Sequence, residues 1–299
     1  MAISTVRVKI NNVWTNMTLN EETGKYEGII VAPSVTSFNL SGKYYPVTVE
    51  VSNDAGTVVT KDDTDSTLGE SLRLVVKETV KPTITLTSPT DGAYVQNNMI
   101  PVEFTVTDEV NGSGIKESSI SIKVDGLSVF FTKTSITNGF SCVYTPEDAL
   151  EDGAHIIEIS AQDNDGNEAD SVNTSFTVDT VPPALNVTSP TRAITNQTIC
   201  TVSGNTNDTT SSPVTVTVTH NDNDPVVLTV DASGNFTQDF TLTEGNNTLI
   251  VVSTDASGRS TTVEKTIKLD TTIPQITSVV FAPNPTSTSL PVTITLEVV

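Results

Sequence analysis

Along most of this chain apolar and polar residues alternate. Val102-Glu103-Phe104-Thr105-Val106 and Val214-Thr215-Val216-Thr217-Val218 are clear cases, and Thr248-Leu249-Ile250-Val251-Val252 is a more apolar one. A two-residue period puts successive side chains on opposite faces of an extended backbone, so these stretches predict half-buried strands. Short Val/Ile/Thr/Phe runs of this kind are broken by Gly, Asn, Asp and Pro, which favour turns. No stretch carries a helical period with caps. The predicted fold class is all-β.

Two phrases recur. Val80-Lys81-Pro82-Thr83-Ile84-Thr85-Leu86-Thr87-Ser88-Pro89 returns as Val181-Pro182-Pro183-Ala184-Leu185-Asn186-Val187-Thr188-Ser189-Pro190, and begins again at Thr272-Ile273-Pro274-Gln275-Ile276. The copies lie about 90–100 residues apart, the size of one small β-sandwich. The second phrase is a turn, a strand and a Gly-bearing turn. It reads Asp152-Gly153-Ala154-His155, then 156–161, then Asp163-Asn164-Asp165-Gly166. It recurs as Glu244-Gly245-Asn246-Asn247 to Asp255-Ala256-Ser257-Gly258, and as Ser41-Gly42-Lys43-Tyr44 to Asn53-Asp54-Ala55-Gly56. Each marks a penultimate strand F and a final strand G joined by a turn that needs positive φ.

Together the two phrases resemble the bacterial immunoglobulin-like repeat domains of surface adhesins and of bacteriophage tail and decoration proteins. The resemblance implies tandem Ig-like β-sandwich domains in a rod-like array. It divides the chain at 1–79, 80–180, 181–271 and 272–299. In the third domain the strands are expected at 184–189 (A), 198–204 (B), 214–219 (C), 226–230 (C′), 235–242 (E), 247–254 (F) and 261–269 (G). Asp152-Gly153-Ala154-His155 fits the family's turn before strand F. Asn247 stands where an aromatic or His is usual, a departure that puts a tyrosine-corner-type bond in the third domain in question.

The ends differ from the middle. The first domain aligns only from strand C onward, so it lacks strands A and B, and a polar insert, Asp62-Asp63-Thr64-Asp65-Ser66-Thr67, interrupts its strand G. The tail shows the reverse. Pro274 to Ala282 reads as a strand A, and Leu290-Pro291-Val292-Thr293-Ile294-Thr295-Leu296 matches Ile100-Pro101-Val102-Glu103-Phe104-Thr105-Val106, strand B of the second domain. Two readings are open. The tail of one chain completes the first domain of the next, giving head-to-tail self-association, or the sequence boundary cuts through a fourth domain.

Charge removes some partners. The chain has 15 basic and 36 acidic residues, a net −21, which repels nucleic acid and anionic membranes. No apolar run reaches the length of a membrane span, so no membrane insertion is expected. Residues 1–10 alternate like a strand, and no secretory signal is visible there. Cys142 and Cys200 fall in different repeats and are expected to behave as small core residues.

Acidic residues gather where domains should meet. The B–C and F–G loops share one pole of a sandwich with the incoming linker. That places Asp108, Asp163 and Asp165 near Glu78, and Asp208 and Asp255 near Asp179. Clustered carboxylates would suit Ca²⁺ at the domain junctions. The competing reading is that Asp favours turns and faces solvent, since no EF-hand spacing is present. Asn221-Asp222-Asn223-Asp224-Pro225 is read as a hairpin turn between strands C and C′.

Catalysis finds no foothold in the pattern. His155 and His220 lie in different domains without a Cys or Ser partner, and a solvated or structural role is expected of both. Zinc-type Cys/His spacing is missing, and Gly112-Ser113-Gly114 lacks the strand-to-helix setting of a phosphate loop. Core or half-buried packing is expected of Trp14, rather than a ligand platform. The expected function is a non-enzymatic structural or adhesive stalk, a phage tail or virion surface component that contacts a cell-surface glycan or protein. The alternatives are a fragment of a bacterial surface adhesin and an accessory module of a carbohydrate-active enzyme. Virion, extracellular and cell-surface locations all fit.

Overall fold

The computed structural model describes residues 2–299 and is almost entirely β-structure. Among these residues, helical turns are limited to short 3-10 segments such as Ser41–Lys43, and no helix is long and apolar enough to cross a membrane. The chain forms two compact units that meet between Val178 and Asp179.

In the first unit, residues 83–178 build a complete sandwich. One sheet orders strands D (Thr132–Ile136), E (Gly139–Tyr144), B (Val102–Thr107) and A (Thr83–Ser88). The other orders C′ (Leu127–Ser128), C (Ser121–Val124), F (Gly153–Ser160), G (Val172–Val178) and a short A′ strand (Ala93–Val95) that runs parallel to G. Pro89 ends strand A because it has no N–H to give the ladder. Alternation does what the sequence predicts. Val102, Phe104 and Val106 of strand B face Ile122, Ile157, Ile159, Phe176 and Val178 in a buried cluster that includes Cys142. Removing about 1.5–3 kcal/mol of apolar transfer energy per such side chain from water is what closes the two sheets.

The second unit repeats the plan. Strands A (Ala184–Ser189), B (Ile199–Asn207) and E (Asn235–Thr241) form one sheet. A′ (Ile194–Thr195), G (Ser260–Leu269), F (Gly245–Thr254), C (Thr215–His220) and C′ (Val226–Leu228) form the other. Its core holds Val202, Val216, Val218, Leu249 and Val251 with Cys200, and both cysteines are free and buried. The expected strands match to within a few residues, and 221–225 is the hairpin turn between C and C′. Gly234 is required at the turn into strand E. Its φ is +82°, and a Cβ there would meet the carbonyl oxygen of Thr206 at 2.1 Å.

Residues 2–79 are different. Val13–Asn16, Ile3–Ile10, Tyr45–Asn53 and Val58–Lys61 form one sheet, equivalent to C′, C, F and the first half of G. The polar insert splits strand G, and Arg73–Leu74 rejoins Tyr45–Pro46 after it. Val6, Val8 and Ile10 pair with Val51, Val49 and Val47 on one face, but only Val8, Tyr45 and Leu72 are buried apolar residues in this region. Both buried clusters found among the described residues lie elsewhere. Trp14 lies outside the buried clusters. It sits on the opposite, polar face, 37% exposed, with the Arg7 guanidinium 4.4 Å and the Lys9 ammonium 5.4 Å from its ring centre. Cation–π contact holds it there because its strand neighbour Val13, not Trp14, shares the face of Ile10.

In the tail, Ile276–Ala282 pairs only with Thr293–Val298. Val279 lies opposite Leu296 and Phe281 opposite Ile294, giving one apolar face whose members are 48–59% exposed.

Candidate functional site

The loops at one pole of each complete sandwich are locked by aspartates. At the end of strand F, Asp163 Oδ1 accepts the backbone N–H of Gly166 (2.7 Å) and of Asn167 (2.9 Å), while its own N–H bonds Asn167 O. Asp255 does the same in the second sandwich, accepting Arg259 N–H (2.9 Å) and Ser257 Oγ (2.7 Å) and bonding Arg259 O through its N–H. Gly166 and Gly258 supply the positive φ, +102° and +89°, that closes each turn. The B–C loops are fixed likewise. Asp108 Oδ2 accepts Gly114 N–H (2.6 Å), and Asp208 Oδ1 accepts Thr210 and Ser211 N–H (2.8 Å each).

Each pole captures the acidic residue that precedes its sandwich. Ser113 Oγ donates to Glu78 Oε1 at 3.2 Å, and Ser211 Oγ donates to Asp179 Oδ2. Asn167 Nδ2 donates to Glu78 O (3.2 Å), and Arg259 Nε donates to Asp179 O (3.1 Å). Val80 N–H bonds Glu78 Oε2, and Val181 N–H bonds Asp179 Oδ1, two residues on in both cases. The two poles are therefore one device built twice.

The result is two tight groups of carboxylates. Glu78, Asp108 and Asp163 bring one ligand oxygen each within 4.8 Å of the others, and so do Asp179, Asp208 and Asp255. Six of the seven acidic residues singled out from sequence are thus brought together. Asp165 is not. Its Oδ2 accepts Glu78 N–H (3.0 Å) and Thr36 Oγ1, bonding residues 36 and 78 to the loop. The solvent-facing reading of these turn aspartates is corrected. Asp163 and Asp179 are fully buried, and Asp108 and Asp255 are 7% and 5% exposed. Turn formation alone does not require that burial; the captured linker covers them.

The electrostatics are unfavourable as they stand. Two unit charges 4 Å apart repel by about 4 kcal/mol at an effective dielectric of about 20. Burial first, then the Asp163 carboxyl, raises the Glu78 pKa. Burial also opposes ionising Asp163, but Asn167, Glu78 and the Asn167 and Gly166 amides outweigh it and lower the Asp163 pKa. Glu109, next to Asp108, is pushed up to about 7 by burial and then by the Asp108 carboxyl. Three buried oxygens have no hydrogen-bond partner in the protein: Asp108 Oδ1, Glu109 Oε2 and Asp255 Oδ2.

Sequence reasoning missed Ser113, Ser211, Asn167, Arg259 and Glu109. The signal available for the first four was positional: a Ser shortly after each B–C aspartate and a polar side chain four residues after each F–G aspartate. It also missed Asp270, the third linker acid, whose Oδ1 accepts Thr272 N–H at 3.2 Å like its two counterparts. The hydrogen bond from the Lys268 ammonium, 3.0 Å away, lowers its pKa.

Both histidines are held by hydrogen bonds within their own sandwich. His155 Nδ1 lies 2.7 Å from Asp125 Oδ2 and Nε2 2.8 Å from Glu151 O. Asn247, fully buried, donates through Nδ2 to Thr243 O (2.8 Å), also four residues back, and its Oδ1 lies 2.9 Å from His220 Nε2. The third domain thus has a corner bond after all, made by a side chain whose amide reaches the same carbonyl position.

Residues 82–159 match the family model of the bacterial Ig domain, and residues 183–271 match that of domain B of glucodextranase. No curated protein sequence matches the chain. Among solved structures, the fibronectin(III)-like modules of Clostridium thermocellum CbhA are 16% identical over 62% of this chain and 94% of theirs, at a TM-score of 0.41. A tetra-tandem repeat from the extending region of a large adhesion protein is 20% identical over 98% and 79% at 0.32. A Ca²⁺-stabilised, ice-binding adhesin of an Antarctic bacterium is 20% identical over 94% and 68% at 0.34. The first complete sandwich is thus similar to a bacterial immunoglobulin-like domain, as the repeated phrases imply, and the second to the glucodextranase domain.

Proposed function

We propose that this chain is a non-catalytic stalk of tandem Ig-like modules that holds an adhesive surface away from a virion or bacterial cell. One observation carries the reading: each complete sandwich closes its own core and captures the acidic linker before it with the same loop device. Modules that fold singly and grip their linkers suit a load-bearing spacer. Stretching single molecules tests it. Each complete sandwich should unfold in its own step, releasing about 30 nm of chain. Smooth extension without steps would count against a stalk.

The match of residues 183–271 to a glucodextranase domain supports a neighbouring reading, an accessory module beside a carbohydrate-active catalytic domain. Glycan-array binding by the full chain separates a sugar-binding module from a passive spacer.

A second reading, head-to-tail association, is supported by the few buried apolar residues of 2–79 and by the exposed apolar face at 276–298. In both complete sandwiches strand E pairs with strand B along its length. In the first region Lys25–Glu27, at the position of strand E, pairs only with Thr18–Asn20, and Ile29 and Val31 beyond it are 98% and 91% exposed. The tail hairpin of a second copy supplies a B strand of the required alternation. Sedimentation should show concentration-dependent growth that the Ile294→Asp and Leu296→Asp substitutions abolish; a monomer at all concentrations removes this reading.

A further inference from the structure

We propose that each loop pole binds one calcium ion, through Glu78, Asp108 and Asp163 in the first unit and through Asp179, Asp208 and Asp255 in the second. The donors are all carboxylate oxygens, the hard ligands that calcium prefers over transition metals. Their spacing fits. Oxygens on opposite sides of one calcium ion stand about 4.8 Å apart when each bond is about 2.4 Å, and the three ligand oxygens of each group lie within 4.8 Å of one another.

A second observation points to a ligand independently of clustering. Asp108 and Asp255 are more than nine-tenths buried, and each spends one oxygen on its loop backbone or side chains while the other has no partner in the protein. A buried carboxylate oxygen left unbonded is costly, and the cost recurs at the same pole of two sandwiches, on the B–C aspartate in the first and on the F–G aspartate in the second. Loop formation explains the bonded oxygens and leaves the orphaned ones. A cation beside both orphans satisfies them and cancels the repulsion within each group.

Binding would couple linker to loops. Glu78 lies outside the strands of its sandwich, whereas Asp108 and Asp163 lie in its B–C and F–G loops. An ion shared by the three ties residue 78 to the loops more firmly than the Ser113 and Asn167 bonds alone. Lys77 precedes this acid and reports its mobility to trypsin. This inference is independent of the stalk reading, since a spacer does not need a metal to be a spacer.

The test is calorimetric titration of the chelator-treated full chain with CaCl2, together with thermal melting in calcium and in chelator. Asp108→Asn and Asp208→Asn keep the hydrogen bond each aspartate makes to its loop and remove one negative charge. Two binding events are expected in the unaltered chain. Each substitution should remove one event or weaken it at least about tenfold, and the double variant should lose both. The melting shifts should have opposite signs: higher than the parent in chelator, because repulsion is relieved, and lower in calcium. Trypsin should cut after Lys77 more slowly when calcium is present. Absence of heat with calcium-indifferent melting overturns the proposal. So does calcium binding that survives in the double variant, which would place the ions on the acidic surface at large. Melting lowered equally in calcium and chelator assigns the aspartates a purely structural role and overturns it too.

Discussion

The two acidic poles share a plan and differ in charge. The first has Glu78 as its linker acid, Asn167 across the turn and Glu109 beside Asp108; the second has Asp179, Arg259 and no acid next to Asp208. Asn167 and Arg259 make the same bond to the linker carbonyl, so the geometry is conserved while the charge is not. A guanidinium at that point offsets part of the negative potential that three carboxylates create. The comparison teaches that one hydrogen-bond frame can hold its linker carbonyl with either a neutral or a charged side chain. The first pole should bind calcium more tightly than the second.

The largest effect should come from removing the turn anchors. Asp163 accepts two backbone amides and the Asn167 side chain, and Asp255 accepts one amide and Ser257. Bonds to a charged acceptor contribute about 1.5–3 kcal/mol each, partly offset here by relieved repulsion. Asp163→Ala is expected to cost its sandwich about 3 kcal/mol and Asp255→Ala about 2 kcal/mol. Urea unfolding in chelator measures both; a larger loss for Asp255→Ala would invert the comparison.

An intermediate effect is expected from exchanging the charge. Asn167→Arg should weaken calcium binding at the first pole by roughly tenfold, and Arg259→Asn should strengthen it at the second by a similar factor, about 1.4 kcal/mol each. If the exchange leaves the two titration constants where they were, Arg259 does not set the difference between the poles.

The smallest effect is a control that both frames sit on closed cores. Cys142 is fully buried, and burial pushes its thiol up to about 11; burial also raises Cys200. In the folded chain neither thiol should react with a thiolate-selective reagent on the timescale of a free cysteine, with or without calcium. Rapid labelling of Cys200 alone would show that the second pole rests on an open sandwich.

Much of the frame was readable from sequence because it is written locally. Alternation in 102–106 or 248–252 fixes which side chains go inward, and Pro and Gly at repeated positions mark strand ends. The gathering of Glu78, Asp108 and Asp163 was readable too, since an Ig-like topology brings the B–C and F–G loops to one pole. What escaped depended on which atom a side chain faces. Burial of the aspartates follows from linker capture by Ser113 and Ser211, contacts across 35 and 32 residues. Asn247 replaces an aromatic yet makes the corner bond, because only an N–H near the residue 243 carbonyl is needed. Trp14 faced the polar side because register, not hydrophobicity, decided its face.

The most direct test is diffraction from crystals of the full chain grown in calcium, recorded at a wavelength where calcium scatters anomalously. The account predicts one anomalous peak within about 2.3–2.6 Å of Glu78, Asp108 and Asp163 oxygens and a second, weaker one among Asp179, Asp208 and Asp255. Refined waters or direct carboxyl–carboxyl hydrogen bonds in those places, with no anomalous signal, would contradict it.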